Sequence, residues 1–242
     1  MGHRIFLAGA SGAVGQRLIP QLLAAGHEVM GTTRSAEKAE KLLALGVEPF
    51  VVDAFNAEAL SRAMIAVRAD IVIHQLTDLP PGLDPSRMGE AIVRNARIRD
   101  EGTRNLVAAA ASSGVRRMVA QSIAWAYAPG PEPHAETDPL DGGASGNRGI
   151  SVGGVIALEK AVLNAPFAGV VLRYGQLYGP GTGTDAAAGA SPLHVDAAAY
   201  AALLALEKGA PGVFNVAEPN QAVSTQKAVR ELGWRADFRL AA

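Results

Sequence analysis

The sequence predicts a single-domain α/β fold built on a doubly wound parallel sheet. Three observations carry this prediction. An apolar segment, Arg4 to Ala8, runs into a turn with glycines at positions 9, 12 and 15 and then directly into a helix. Strand-like and helix-like segments alternate over the first 175 residues, an order that makes strands parallel and puts helices on both faces. The 242 residues, 49% of them hydrophobic, can bury one sizeable core and do not require a second large domain.

The elements follow from local pattern. After the strand at 4–8, apolar Val14, Leu18, Leu22 and Leu23 recur at helical spacing, and the helix stops at Gly26. Further strands are expected near 28–32, 49–53, 70–74, 116–121 and 169–173, with helices between them. One helix covers Ala57 to Val67 and another 151–165. The longest, 86–113, begins after Pro85-Ser86 and ends in Ser112-Ser113-Gly114, and its alanine- and leucine-rich second half should lie on the sheet. Residues 1–175 are read as the core, and 176–242 as a small carboxyl-terminal cap on the substrate side.

Composition excludes several classes of function. A net charge of −1 with dispersed positive residues argues against a nucleic-acid or membrane-surface partner recruited by charge. With no cysteine, disulfides, thiolate chemistry and cysteine-ligated zinc are unavailable. No signal-peptide pattern and no apolar run of membrane-spanning length is found, so a cytoplasmic location is the expectation.

The glycine turn reads as a nucleotide-phosphate cradle. Gly9 and Gly12 permit backbone angles closed to other residues, Ser11, Ala13 and Val14 bring helical amides towards a pyrophosphate, and Gly15 lets helix and strand pack closely. The spacing GxxGxxG differs from GxGxxG and resembles that of the short-chain dehydrogenase/reductase superfamily, in its extended and atypical branches, the NAD-dependent epimerase/dehydratase-like proteins. The resemblance implies a Rossmann-like fold, a nicotinamide dinucleotide and a small-molecule substrate.

At the end of the second strand, Thr33-Arg34-Ser35 stands where an NAD-selective enzyme places an acid on the ribose 2′-hydroxyl. Arg34 can pair with a 2′-phosphate, and Thr33 or Ser35 can add a hydroxyl, so NADP is expected over NAD. The resemblance extends to Asp53-Ala54, where the aspartate would meet the adenine amino group. Asp53 equally suits capping the helix at Ala57. It also covers Asp70 to Thr77, with Gln75, Leu76 and Thr77 beside the nicotinamide ribose and His74 as a packed strand-end residue. Gln121 belongs to the same cofactor shell. Arg173-Tyr174-Gly175-Gln176-Leu177-Tyr178-Gly179-Pro180-Gly181 is close to the family's arginine-to-YGPG signature, which places Tyr174 and Gly175 near the nicotinamide and Gln176 and Tyr178 on the substrate side.

The chain also departs from the family. Its usual acid/base pair, Tyr-x-x-x-Lys, is absent: the tyrosines are at 127, 174, 178 and 200, and none lies four residues before a lysine. Matching Glu159 to the family's glutamate puts Ser151 at the tyrosine position and Val155 at the lysine position. A serine hydroxyl is far too weak an acid, and valine carries no charge. Ser122 is the nearest candidate for binding a carbonyl, or else closes a turn; Tyr127 is the nearest phenol that could donate a proton, and packing under the following loop is the stronger reading for it.

The loop 129–150 holds Glu132, His134, Glu136, Asp138 and Asp141, but its acids sit among helix breakers and no metal site is expected. It is read as a lid over the nicotinamide end. The expected activity is an NADP-dependent oxidoreductase or isomerase acting on a small carbonyl or alkene, the alternative being a non-catalytic NADP(H)-binding sensor or scaffold. The helices at 86–113 and 151–165 match the pair that forms a homodimer interface in the family.

Overall fold

β1 (Arg4–Ala8) and β4 (Ile71–His74) are apolar along almost their whole length, as central parallel strands covered on both faces must be. The computed structural model describes residues 2–241. Between these two strands run α1 (Ala13–Ala24), β2 (Glu28–Thr33), α2 (Ala36–Ala44), β3 (Glu48–Val51) and α3 (Ala57–Val67). Then come α4 (Met88–Arg97), α5 (Thr103–Ser112), β5 (Arg117–Ile123), α6 (Gly146–Leu163) and β6 (Ala168–Tyr174). The chain ends with β7 (Gln176–Tyr178), β8 (Pro192–His194), α7 (Val195–Leu204) and β9 (Gly212–Val216). Seven strands form one sheet in the order β3-β2-β1-β4-β5-β6-β9, every pair parallel, and β7 pairs with β8 apart from it. This is the doubly wound, Rossmann-like single domain that the sequence predicts.

Two apolar layers sandwich the sheet. Leu18, Ile19 and Leu22 of α1 pack with Leu42 of α2 and the alanines of α7 on one face, whereas Leu60 and Met64 of α3, Leu106 of α5 and Leu158 of α6 cover the other. Gly154 lets α6 approach α4 closely, since a Cβ there would lie 2.9 Å from the Ala96 Cα.

Three sequence expectations need correction. The helix read as 86–113 is interrupted by a π turn at Ile98–Gly102, an inserted residue that no periodicity argument detects. Asn56, not Asp53, caps α3, with Oδ1 accepting from the Ala59 amide at 2.9 Å; Asp53 instead closes a turn onto the Phe55 amide at 3.0 Å. Residues 176–242 are less a cap than the completion of the sandwich. They supply β9 to the sheet and α7 to the core, and Trp234 is buried with its indole N–H donating to the Ala197 carbonyl at 2.9 Å. Among the described residues no helix is long and apolar enough to cross a membrane.

Candidate functional site

The strand order reverses between β1 and β4, and at this switch point the loops leaving the carboxyl ends of the strands diverge and open a cleft. The cleft has a volume of about 740 Å³. It runs from Arg34, Lys38 and Asp53 at one end, past Gly9, Gly12 and Gln75, to Trp125, Ser151 and Gln176 at the other.

The turn after β1 is shaped by exclusion. Gly9 has φ +90, and a Cβ on it would lie 2.6 Å from the carbonyl carbon and oxygen of Gln75; one on Gly15 would lie 2.4 Å from the Gly9 oxygen. Gly12 is the N-cap of α1 and no side chain caps the helix. The first-turn amides are therefore left for a ligand, and Ser11, Ala13 and Val14 line the cleft beside them. Gly15 lies outside the cleft and serves the packing. This cradle fits the pyrophosphate of a dinucleotide.

At the β2 end, Thr33 Oγ1 accepts from the Ser35 amide at 3.2 Å, and Ser35 Oγ caps α2 by accepting from the Lys38 amide at 3.4 Å. Both hydroxyls are thus engaged locally while still facing the cleft. Arg34 is exposed, and its guanidinium stands 3.5 Å from Asp78, a weak solvent-facing pair. Lys38 joins it on the rim. Asp53 and Ala54 lie on the same wall.

Beyond the turn, Gln75, Leu76 and Thr77 follow β4 along the floor. His74 is sealed beneath them: Nδ1 accepts from the Leu76 amide at 3.2 Å, so Nε2 carries the proton and donates to Thr103 Oγ1 at 2.9 Å. Burial and the nearby Arg99 charge push its pKa down to about 4, and the ring is a neutral structural group. The side-chain amide of Gln75 lies beside the Tyr174 hydroxyl, which donates to the Ala198 carbonyl at 3.0 Å.

Ser122, Tyr127 and Tyr178, the three candidates for chemistry, do not line the cleft. Gln121 and Ile123 of β5 face it, and strand alternation sends Ser122 to the opposite side. There Ser122 Oγ donates to Glu159 at 2.7 Å, and Glu159 is held by two bonds from Arg173 at 2.9 and 2.7 Å. Arg173 also donates to the Tyr127 hydroxyl at 2.8 Å, which donates in turn to Asn215 at 2.7 Å. Burial raises the Tyr127 pKa. This buried network ties α6 to β5, β6 and β9, and neither hydroxyl is free to reach a ligand. The Tyr178 hydroxyl donates to Glu218 at 2.8 Å on the far side of β7, and burial and that carboxylate raise its pKa.

Tyr174, Gly175 and Gln176 do reach the cleft, with Gln176 Oε1 fixed by the amide and hydroxyl of Ser191 at 3.0 and 2.8 Å. The loop 129–150 is not a lid. It is strapped to the β9 side by the His134 amide to the Ala222 carbonyl and the Asn215 amide to Glu136, both at 2.9 Å, and none of its residues borders the cleft. Among the described residues no cluster of His, Asp and Glu could hold a metal ion.

Several cleft residues escape sequence reasoning. Lys38 lies one helical turn beyond Arg34 and looks like a solvated α2 lysine. Trp125 and Arg99 line the cleft as well. Ser151 also borders the cleft, and Val155, one turn further along α6, is fully buried. The only sequence mark on Arg99 is that no acid stands four residues before or after it.

Comparison with known proteins agrees with this geometry. A family model for NAD(P)H-binding proteins matches residues 9–144. A curated relative from a Streptomyces species, the 3-diazoavenalumate denitrifying reductase, is 39% identical over 92% of this chain and 78% of its own length. The UDP-glucose 4-epimerase of Thermus thermophilus, solved with NAD, superposes with a TM-score of 0.78 at 21% identity, over 98% of this chain and 95% of that one. The UDP-glucose 4-epimerase of Thermotoga maritima gives 0.77 at 19% identity, over 97% and 94%. These two share the fold. The glycine cradle at the switch point, the family match across more than half of the chain and the Streptomyces relative together establish that this protein belongs to the NAD(P)H-binding family, on the fold of the extended short-chain dehydrogenases and reductases.

Proposed function

We propose that the protein is an NADPH-dependent reductase of a small electrophile. The observation that carries this reading is the pairing, in one cleft, of the phosphate cradle with two cations, Arg34 and Lys38, at a β2 end without an acid. When bound, the dinucleotide supplies a hydride at its nicotinamide. The amides at the start of α1 hold the pyrophosphate, and Arg34 and Lys38 hold a 2′-phosphate, which NAD lacks. Tyr174 and Gly175 close the floor at the far end, where a Cβ on Gly175 would meet the Ser191 oxygen at 2.0 Å and the chain has no room for a larger residue.

The chemistry suits an acceptor that asks the protein for no proton. Ser151 cannot replace a phenol acid, and a missing general acid typically costs about 10²–10⁴-fold in rate. Reduction of a carbonyl leaves an oxyanion that must be protonated. An aryl diazonium ion, the charged form of the diazo group named in the Streptomyces relative, accepts hydride at its ring carbon, forms a C–H bond and releases dinitrogen, so the step consumes no proton and leaves no oxyanion. This class, ahead of simple carbonyls and alkenes, is therefore the favoured substrate.

Calorimetric titration with NADP⁺, NADPH, NAD⁺ and NADH, on the wild type and on Arg34→Ala and Lys38→Ala, tests the cofactor. Tight binding of the phosphorylated pair that weakens in both variants is expected; equal affinity for NAD(H) refutes the assignment. NADPH consumption is then followed with diazo, carbonyl and alkene acceptors. Unequal binding of NADP⁺ and NADPH with no turnover of any acceptor favours the sensor reading, which the substitutions at Ser151 and Val155 also support.

A further inference from the structure

Along α4, the π turn and α5, the arginines are matched to acids one turn away: Arg94 to Glu90, Arg97 to Glu101 and Arg104 to Asp100. Arg99 is not. Its neighbours at that spacing are Asn95 and Thr103, it is only 6% exposed, and it lines the cleft from the π turn. Among the described residues no carboxylate compensates it, and burial alone draws its pKa down to about 10, so it stays charged at neutral pH. The neighbouring His74 ring is neutral and cannot balance the charge.

A lone cation held inside a protein is costly, and the cost is relieved when an anion enters. The same cleft holds a second polar group short of partners, the Gln75 amide, 4% exposed and beside the Tyr174 hydroxyl. A cation with no carboxylate partner and an amide short of hydrogen bonds, both lining one cleft, describe a site suited to a ligand oxygen. The phosphates of the dinucleotide already have their own partners, the α1 amides and the pair Arg34 and Lys38. The walls around the far end, Leu79, Met88, Ile92 and Trp125, are apolar and suit a flat hydrocarbon body.

We propose that the substrate is a small carboxylate with a flat, apolar body, its anionic group anchored by Arg99 and Gln75 and its body lying against Trp125 and Met88. This rests on the reading of the cleft as a dinucleotide site, and the two can fail separately. The probe is trans-cinnamate against its uncharged amide, each titrated calorimetrically into the protein loaded with NADP⁺. Cinnamate should bind roughly 10- to 100-fold more tightly than the amide, as expected for a charge-assisted bond made in a dry site. Arg99→Met should abolish the difference and leave NADP⁺ affinity unchanged, whereas Arg99→Lys should retain part of the preference.

Equal binding of acid and amide, or no binding of either, overturns the proposal. So does a loss of NADP⁺ affinity in Arg99→Met, which would make the anion a cofactor phosphate. Failure of the wild type to bind NADP⁺ overturns the cofactor reading beneath it. A measurement free of ligand gives an independent check: Arg99→Met should melt higher than the wild type, because an uncompensated buried charge is gone, and a lower melting temperature would show that Arg99 is already satisfied in the free protein.

Discussion

Glu159→Gln should destabilise the protein severely, and Ser122→Ala only mildly. The side chains of Arg173 and Glu159 are 5% and 7% exposed and share two hydrogen bonds. Replacing the carboxylate by an amide of the same size leaves the guanidinium buried without its counter-charge, at a cost of about 3–5 kcal/mol. For a chain of this size that corresponds to a fall of about 6–20 °C in melting temperature. Ser122→Ala removes one bond to a charged acceptor that keeps its other partners, a loss of about 1.5–3 kcal/mol at most. The assay is thermal unfolding by circular dichroism, with NADP⁺ affinity measured beside it and expected to be unchanged for Ser122→Ala. A shift below about 2 °C for Glu159→Gln would refute the assignment of this network to structure. An unshifted Ser122→Ala protein that has lost NADPH turnover would return Ser122 to the chemistry.

Four further outcomes are expected. His74 has an ordinary pKa of 6.5 and is held near 4 in the fold. The unfolded chain therefore binds the extra proton, and about 3 kcal/mol of stability, complete above pH 6.5, is lost as the pH falls towards 4. Urea unfolding across that window should show the slope, and His74→Asn should flatten it. Gly15→Ala should cost about 1–3 kcal/mol through overpacking against the Gly9 oxygen. Gly12→Ala, whose Cβ meets that oxygen at 3.3 Å, should stay folded and chiefly weaken nucleotide binding in calorimetry. Tyr127→Phe should lower the melting temperature by leaving the Asn215 oxygen unpaired while sparing NADPH turnover, and a lost activity would identify the phenol as a proton donor.

What the sequence can and cannot reveal divides along physical lines. Periodicity and punctuation are local, so the glycine turn and the first six strands are legible to within about two residues, whereas α6 begins at Gly146, five residues before the expected start at 151. The family's arginine-to-YGPG stretch likewise leads to Tyr174, Gly175 and Gln176, all on the cleft. Side-chain direction is not local. Ser122 looks like a site residue because it stands at the end of β5, yet a one-residue step reverses its face and delivers it to Glu159. Arg99 lies two residues beyond Arg97, on the opposite side of the helix from the ion-paired stripe, and there it lines the cleft. The loop 129–150 reads as a lid because breakers suggest mobility, but its hydrogen bonds run to Ala222, Ser224 and Asn215, far away in sequence.

Val155 and Arg99 are both buried, one on α6 and the other on the π turn that packs against it. α6 packs against the π turn, and Gly154 brings it close to α4 at Ala96, so a lysine at position 155 would add a second buried cation to this region. Val155 is fully buried in an apolar cluster with Ile123, Ala126 and Val152, where an unpaired charge would be costly. Val155→Lys alone should therefore be strongly destabilising, and Arg99→Asn in the same chain should recover part of the loss. The cycle of the two single variants and the double, read by denaturant unfolding, should give a coupling of more than about 1 kcal/mol. Strict additivity would mean that the two positions do not share a pocket, and that the valine is simply core.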